Sequence, residues 1–137
     1  MTVHRSLVTN KDELVYVHLA SKKWKYRDGR DGKSRIVYIG TTEKGKDRVA
    51  ESVAERAPHI LKLHGVKTFD VRIITCKGLQ NVKTWKELET ALLIAFRSMY
   101  GTVPECNKQG KNLPHDDECW KYFAKAKIDR VIKELDR

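Results

Sequence analysis

The carboxylate with the most unusual surroundings in this 137-residue chain is Glu89. It lies in the stretch KELETALLIAFRSMY, in which every residue from Leu88 to Phe96 is apolar except Glu89 and Thr90. This pattern predicts a helix that is apolar on nearly all sides and therefore largely buried. A carboxylate in such a helix is costly unless a cation or a metal pairs with it. Glu89 is therefore a candidate cation-binding residue; the alternatives are a solvated gap or a structural pair with Arg48.

Two tyrosines and one histidine form a second set of candidate residues. Residues 13–20 and 35–40 are rich in β-branched and aromatic side chains, and two Asp-Gly pairs lie between them, which predicts an antiparallel hairpin. Because side chains alternate along a strand, Tyr16, His18 and Tyr38 should share one face, either as a site or as ordinary packing residues. That face should also carry Leu14, Ile36 and Gly40, and the opposite face Val15, Val17, Leu19, Val37 and Ile39.

Turn and capping signals predict the next elements of the chain. Thr42 is expected to cap a helix from about Lys44 to Arg56, and Pro58 to begin a further short turn of helix. Residues 67–77 have the composition of a third strand. The hairpin is thus expected to continue into a helix and then return to the sheet.

Two further helices are expected in the second half of the chain. Thr84 and Glu87 have the Thr-x-x-Glu spacing of a capping box and should open a helix over about 85–100, closed by Gly101. A last helix should run from Asp116 or Asp117 nearly to the C-terminus. Its apolar stripe would contain Trp120, Phe123, Ile128, Val131 and Leu135. The order β-β-α-β-α-α predicts a small α/β (α+β) domain.

Length, charge and cysteine content limit the possible classes of protein. A chain of 137 residues fits one domain over 1–137, with a core of about 13–108 and a C-terminal helix of about 116–136. No apolar run or N-terminal segment indicates a membrane span or a signal peptide, so a cytoplasmic location is expected. The three widely spaced cysteines predict reduced thiols and no zinc site. The formal net charge of +10 favours a polyanionic partner such as nucleic acid.

In this order, Tyr16, Tyr38-Ile39-Gly40, Arg48, Glu89 and Asn107 resemble the GIY-YIG nuclease superfamily, over roughly residues 13–108. The resemblance implies a small three-stranded antiparallel-type sheet flanked by helices. It also implies a divalent-metal-dependent endonuclease that hydrolyses phosphodiester bonds in nucleic acid, with DNA favoured over RNA. The chain departs from the family's pattern in three places, one of which is the segment between the two tyrosines, longer here than is usual in the family. Leu14-Val15-Tyr16 replaces Gly-Ile-Tyr, and Ser52 stands where many members have His or Tyr.

The resemblance also implies a role for each matching residue. Glu89 would bind Mg²⁺ or Mn²⁺, since a hard cation that keeps several waters can be held by one carboxylate. Arg48 would present its planar, permanently charged fork to the phosphate. Tyr38 or Tyr16 would accept the proton of the attacking water. Asn107 would hold the geometry of the site.

A tyrosine with an ordinary pKa of about 10 is too weak a base at neutral pH. The sequence suggests two remedies. The cations Lys44, Arg48 and a metal could lower the pKa of Tyr38 by favouring the phenolate. Alternatively His18, on the face of the two tyrosines, could accept the proton in place of the residue missing at Ser52, or could simply be a satisfied strand residue.

Cations and aromatic residues interleave between the two predicted strands, a pattern typical of a nucleic-acid contact but also compatible with a solvated turn. The candidate binding residues are Lys22, Lys23, Trp24, Lys25, Tyr26 and Arg27, together with Lys44 and Lys46 of the run after Gly40. Two alternatives to an enzyme stay open. One is a catalytically inactive nucleic-acid-binding module of the same fold, and the other is a structural or regulatory partner of a larger nuclease assembly.

Overall fold

Four strands and three helices occur in the part of the chain that the computed structural model describes. That part comprises residues 2–5, 13–26, 32–63, 66–76, 82–107 and 118–136, with the backbone alone at residues 2–5 and at Lys46. The strands are β1 (Thr2–Arg5), β2 (Leu14–Lys25), β3 (Lys33–Thr42) and β4 (Phe69–Ile74). The helices are α1 (Gly45–Leu61), α2 (Thr84–Tyr100) and α3 (Lys125–Leu135), and short 3₁₀ helices span Glu105–Asn107 and Glu118–Lys121.

The strands form one sheet in the order β1-β4-β2-β3. β2 pairs antiparallel with β3, as the hairpin signals predict, and antiparallel with β4 on its other side. β1 adds a further strand at the opposite edge, parallel to β4. The α+β fold and its three antiparallel strands are therefore confirmed. The fourth strand is an addition, because the segment TVHR is too short for its pattern to predict one.

Different helices cover the two faces of the sheet. The first face packs against α1 through side chains that include Val53 and Ile60, and we call it the α1 face. The second packs against α2 and α3 through Leu92, Phe96 and Ile132, and we call it the α2 face. Each large apolar side chain buried in these layers contributes roughly 2 kcal/mol to stability. The apolar layers, rather than the charged surface, therefore hold the sheet and the helices together.

A β-bulge in β3 changes which side chains share a face. His18 pairs with Tyr38, but the next residue of β2, Leu19, pairs with Ile36, so Val37 has no partner opposite it. One extra residue reverses the alternation beyond it. The predicted faces of Ile36 and Val37 are therefore wrong: Ile36 lies in the core on the α2 face, and Val37 lies with Tyr38 on the α1 face.

α1 is one helix where the capping signals predict two shorter segments. It begins at Gly45 and continues through Pro58 to its end. Proline removes one backbone donor from a helix, and the buried side chain of Ile60 keeps the last turn against the sheet despite that loss. The Thr42 hydroxyl oxygen accepts the backbone N–H of Lys44 at 2.9 Å, so Thr42 closes the turn before the helix. It does not cap the helix itself.

α2 agrees with the predicted helix in its bounds but not in its cap. It ends where Gly101 adopts a φ of 78° and donates its N–H to the Arg97 carbonyl oxygen at 2.8 Å. The expected capping box is absent, because Thr84 is itself the first helical residue and no side chain caps the helix. The helix instead begins with a turn whose Thr84 and Trp85 side chains are buried.

The last helix is shorter than the sequence predicts. α3 begins at Lys125, whereas Asp116 and Asp117 lie outside the described residues. Trp120 belongs to the preceding 3₁₀ helix, and with Phe123 it packs on the edge of the core on the α2 face. β4 is likewise shorter than the predicted strand over 67–77.

Asp136 fastens the C-terminal end of α3 to the hairpin. Its Oδ1 accepts the Ser34 hydroxyl at 2.6 Å and the backbone N–H of Arg35 at 2.9 Å. Its Oδ2 accepts the Tyr100 hydroxyl at 2.8 Å, which ties in the end of α2 as well. One buried carboxylate therefore joins α3, α2 and β3.

Replacing this carboxylate should destabilise the fold. Asp136→Ala removes the acceptor of three hydrogen bonds and leaves the proton of the buried Ser34 hydroxyl without its acceptor, so urea unfolding should show a loss of about 1–3 kcal/mol. Asp129→Ala, on the same helix but without these bonds, is the matched control and should change stability by about 0.5 kcal/mol or less. Equal effects of the two substitutions would show that Asp136 does not fasten the helix.

Candidate active site

The two tyrosines predicted as site residues, Tyr16 and Tyr38, have their rings packed over Gly40. Tyr16 pairs directly with Gly40 across the hairpin. A Cβ atom at Gly40 would lie 2.8 Å from Cζ of Tyr16 and 2.8 Å from Cε1 of Tyr38, closer than real Cβ atoms approach other atoms. The rings of Tyr16 and Tyr38 have centroids 6.0 Å apart. The missing side chain of Gly40 is therefore what lets both rings cover this strand pair.

Tyr16 is bound to α1 by its hydroxyl. The ring is 4 % exposed, and the hydroxyl donates to Oγ of Ser52 at 2.8 Å. Ser52 is itself buried, so this bond is shielded from water and from competition by solvent. The residue that stands in place of the family's His or Tyr thus serves as the hydrogen-bond acceptor of the first tyrosine.

Tyr38 contacts a different arginine from the one that the sequence singles out. Nη2 of Arg56 donates to the Tyr38 hydroxyl at 3.3 Å, and the guanidinium carbon lies 4.5 Å from the ring centroid. Burial raises the pKa of Tyr38 to about 12, and Arg56 lowers it only in part. The prediction that Lys44 and Arg48 lower this pKa is therefore wrong for the protein without metal, because burial outweighs the nearby positive charge.

Glu89 lies half-buried on α2, as its apolar surroundings predict. Within the described residues its carboxylate has no hydrogen-bond or ion-pair partner. Burial raises the pKa of Glu89 to about 7, and the positive charge of Lys86 offsets only part of that rise. The charge of Glu89 is also the smallest of the contributions that raise the pKa of Tyr38. A buried carboxylate without a partner is a ready ligand for a cation.

The surroundings of Glu89 suit one kind of metal better than another. In the described ranges no three His, Cys, Asp or Glu side chains converge on one point, and the cysteines are free thiols. The described residues therefore offer no complete set of ligands to a metal that is bound by side chains alone. Mg²⁺ keeps several waters and needs one or two carboxylates, which a single partnerless carboxylate can satisfy.

His18 lies beside both tyrosines but is sealed from water. It is 0 % exposed, its ring stacks on Phe69, and its centroid lies 5.6 Å from that of Tyr16 and 5.3 Å from that of Tyr38. Among the residues that the structure describes, neither ring nitrogen has a hydrogen-bond partner. Burial, followed by the charge of Arg56, lowers the pKa of His18 to about 4, so the imidazole is neutral at pH 7. Its role as a proton acceptor stays a prediction, and the burial leaves only the route through a tyrosine.

Asn107 holds the exposed edge of β3 beside the site. Its Oδ1 accepts the backbone N–H of Ile39 at 2.8 Å, and its Nδ2 donates to the carbonyl oxygen of the same residue at 2.9 Å. Because this pair of bonds imitates a neighbouring strand, it fixes the backbone between Tyr38 and Gly40. The arrangement is the one expected of a residue that maintains the site's geometry.

Arg48 lies away from the tyrosine pair. Its Nη1 is 3.0 Å from Oε2 of Glu51 and 3.3 Å from Oε1 of Glu55, and the side chain is 38 % exposed. The structure brings Arg48 into no contact with Tyr16 or Tyr38. Exposed ion pairs of this kind add little stability, but they do balance the charge of Arg48 with two carboxylates.

The predicted nucleic-acid contacts divide into exposed and buried residues. The segment that the sequence places in a loop belongs to β2, where Lys22, Lys23 and Lys25 are exposed and Trp24 is half-buried. Tyr26 is a core residue, which corrects its assignment as a contact. Its hydroxyl donates to the Ile36 carbonyl oxygen at 2.7 Å and accepts the Glu105 N–H at 3.0 Å, and its ring packs on Phe96. Lys44 is exposed, whereas Arg27 and the side chain of Lys46 lie outside what the structure describes.

Arg56 is the neighbour of the site that sequence reasoning misses. Arg48, Ser52 and Arg56 recur every four residues and so share one face of α1. The spacing was available in the sequence, but only the position of Ser52 against Tyr16 shows which turn of the helix meets the tyrosines.

Comparison with known proteins identifies no relative. No protein-family model, no curated protein and no solved structure matches this chain. The chemistry of the site is therefore inferred from its own residues.

Replacing Gly40 should lower the stability of the protein measurably. In Gly40→Ala the new methyl group must displace the rings of Tyr16 and Tyr38, so the free energy of unfolding should fall by about 1–3 kcal/mol. Thr41→Ala, at the next position of β3, is the control and should cost less than about 1 kcal/mol. If Gly40→Ala unfolds at the same denaturant concentration as the wild type, the rings do not close over this position.

Proposed function

We propose that this protein is a divalent-metal-dependent endonuclease of the GIY-YIG type, which hydrolyses phosphodiester bonds in DNA. The observation that carries the proposal is the Glu89 carboxylate, which is half-buried and has no partner among the described residues; its charge also acts to raise the pKa of Tyr38. Among the described residues, no hydrogen bond or ion pair offsets the burial of this carboxylate. Its burial is explained by a cation that the carboxylate binds during function.

The metal proposed for Glu89 is Mg²⁺ or Mn²⁺. When bound there, it would polarise the scissile phosphate and stabilise the leaving oxygen. The chain's own contribution is to hold Glu89 half-buried on α2 among apolar neighbours, with one side left open for a hydrated cation. Glu89 must lose its proton before it can bind a cation, so affinity should rise as the pH increases through about 7.

The tyrosine pair and the basic surface have separate roles in this proposal. Tyr38 or Tyr16 accepts the proton of the attacking water, while Gly40 and Asn107 keep the two rings and the β3 backbone in position. The exposed lysines of β2 contact the nucleic-acid backbone, and the net charge of +10 favours that encounter. A membrane is not part of the proposal, and no helix in the described ranges has the length and hydropathy of a membrane span. A cytoplasmic location belongs to the proposal as well.

One observation favours a second candidate, a nucleic-acid-binding module that does not cleave. With a pKa of about 12, Tyr38 stays protonated at neutral pH in the protein without metal. Unless bound metal and substrate lower that pKa, the Tyr38 hydroxyl cannot act as a base. The charged surface would then bind nucleic acid without hydrolysing it.

A plasmid-nicking assay distinguishes the two candidates. Supercoiled DNA should become nicked with Mg²⁺ or Mn²⁺ and stay intact with EDTA. Glu89→Gln should abolish nicking while changing DNA affinity by only a few-fold, because the binding lysines lie elsewhere. Glu134→Gln, an exposed glutamate of α3, is the control and should cleave like the wild type.

Two outcomes would contradict the endonuclease. If the wild type binds DNA but never nicks it with either metal, the inactive module is correct. If Glu89→Gln nicks DNA at the wild-type rate, the protein is a nuclease, but Glu89 is not its metal ligand.

A further inference from the structure

Two arginines of α1 are candidates for contacting a substrate phosphate. Arg48 and Arg56 lie two turns apart on one helix face, with Ser52 between them. Ser52 accepts the hydroxyl of Tyr16, which fixes how this face meets the sheet. On this face it is Arg56 whose guanidinium contacts the ring and the hydroxyl of Tyr38.

The charge of Arg48 is already balanced. Its Nη1 is within 3.3 Å of two carboxylates, those of Glu51 and Glu55. A phosphate that binds Arg48 must displace both carboxylates or approach their combined negative charge. This arrangement opposes an oxyanion at Arg48.

Arg56 has the opposite surroundings. It donates one hydrogen bond to the Tyr38 hydroxyl at 3.3 Å, and among the described residues no carboxylate lies within ion-pair distance of it. A guanidinium has five N–H donors in a planar fork, so most of them remain for another acceptor. The charge of Arg56 lowers the pKa of His18 and opposes the rise that burial causes in the pKa values of Tyr38 and Cys106, so its positive charge lies near all three side chains.

The guanidinium of Arg56 also borders a solvent-accessible pocket. This pocket has a volume of about 140 Å³ and is lined by Arg56, His59, Leu63, Glu105 and Cys106. At about 30 Å³ for each water molecule, the volume is enough for one tetrahedral oxyanion. Glu105 is the acidic member of the lining, and its carboxylate should oppose such an anion.

We propose that Arg56, rather than Arg48, binds the phosphodiester oxyanion of the substrate, holding it in the pocket between α1 and the 3₁₀ helix Glu105–Asn107, next to the hydroxyl of Tyr38. This inference rests on the proposed function for the identity of the substrate. It also assigns a binding residue outside the set that the resemblance implies. Arg56 presents its other N–H donors to the phosphate, while its hydrogen bond to the Tyr38 hydroxyl keeps that hydroxyl beside the guanidinium.

The test measures oxyanion binding separately from cleavage. The arginine Nε–H resonances of the full-length protein are followed by NMR while a short thymidine oligonucleotide is added in EDTA, with inorganic phosphate as a second probe. The Arg56 resonance should shift on saturation and the Arg48 resonance should not. Arg56→Gln should weaken oligonucleotide binding about tenfold, because a charge-assisted, bidentate contact is lost. Arg48→Gln should change binding by less than about twofold, since its charge is already balanced.

Two further variants make the result specific. Arg56→Lys keeps the charge without the fork and should restore only part of the affinity. Glu105→Gln removes the opposing carboxylate and should tighten binding several-fold, the opposite sign to Arg56→Gln. Equal losses for Arg56→Gln and Arg48→Gln would mean that each is plain surface charge, and this would overturn the inference. A static Arg56 resonance at saturation would do the same.

Cleavage by the same variants separates this inference from the proposed function. If the wild type nicks DNA and Arg56→Gln nicks it equally well, the protein is a nuclease but Arg56 does not serve its substrate. If the wild type never nicks DNA while the Arg56 resonance and affinity respond as expected, the oxyanion site stands and the nuclease assignment fails.

Discussion

The close approach of two tyrosine rings over Gly40 is the constraint on which the site depends. It requires the β2–β3 register that sets Tyr16 against Gly40, and it requires that Gly40 carry no side chain. The hydroxyls of these two rings then form hydrogen bonds with successive turns of α1. Tyr16 donates to Ser52, and Arg56, one turn later, donates to Tyr38. The position of the first helix is therefore coupled to the hairpin through the groups proposed to do the chemistry.

Burial has the same electrostatic effect on both kinds of acid in this site. It raises the pKa of Glu89 to about 7 and that of Tyr38 to about 12, because the charged form of each loses its hydration. Since the pKa of Glu89 is higher in the folded than in the unfolded protein, its stabilising contribution is present at low pH and is lost as the pH rises through about 7. A bound cation would remove that penalty by stabilising the carboxylate. Ionising Glu89 therefore lowers the stability of the folded protein, and a bound metal would offset that loss of free energy.

The parts of this arrangement that follow a simple period could be predicted from the sequence. The two-residue repeat of strands places Tyr16, His18 and Tyr38 on one face, and the apolar run around Glu89 marks a buried helix. The β-bulge at Val37 could not be predicted, because it depends on how two strands pair, and it reverses the faces of Ile36 and Val37. Tyr26 looks like a surface residue among its lysine neighbours, yet long-range bonds to Ile36 and Glu105 bury it.

The choice between the two arginines of α1 illustrates the same limit. Matching a motif selects Arg48 by its position in the chain, but the surroundings of a side chain depend on what the fold brings near it. Glu51 and Glu55 lie one and two turns from Arg48 and meet it on the helix surface, whereas Tyr38 comes from another element and meets Arg56. The local sequence therefore points to Arg48, and only tertiary packing brings Arg56 to Tyr38.

The central claim is that Glu89 is a buried carboxylate suited to a cation, and its ionisation tests this most directly. The side-chain carboxyl carbon of Glu89 can be titrated by ¹³C NMR in EDTA and again in millimolar Mg²⁺, with Glu89→Gln used to assign the signal. The account predicts a midpoint near 7 without metal and a midpoint lower by about one unit or more with Mg²⁺, because the cation stabilises the charged form. A midpoint near the ordinary value of about 4.3 in EDTA, or one that Mg²⁺ leaves unchanged, would contradict it.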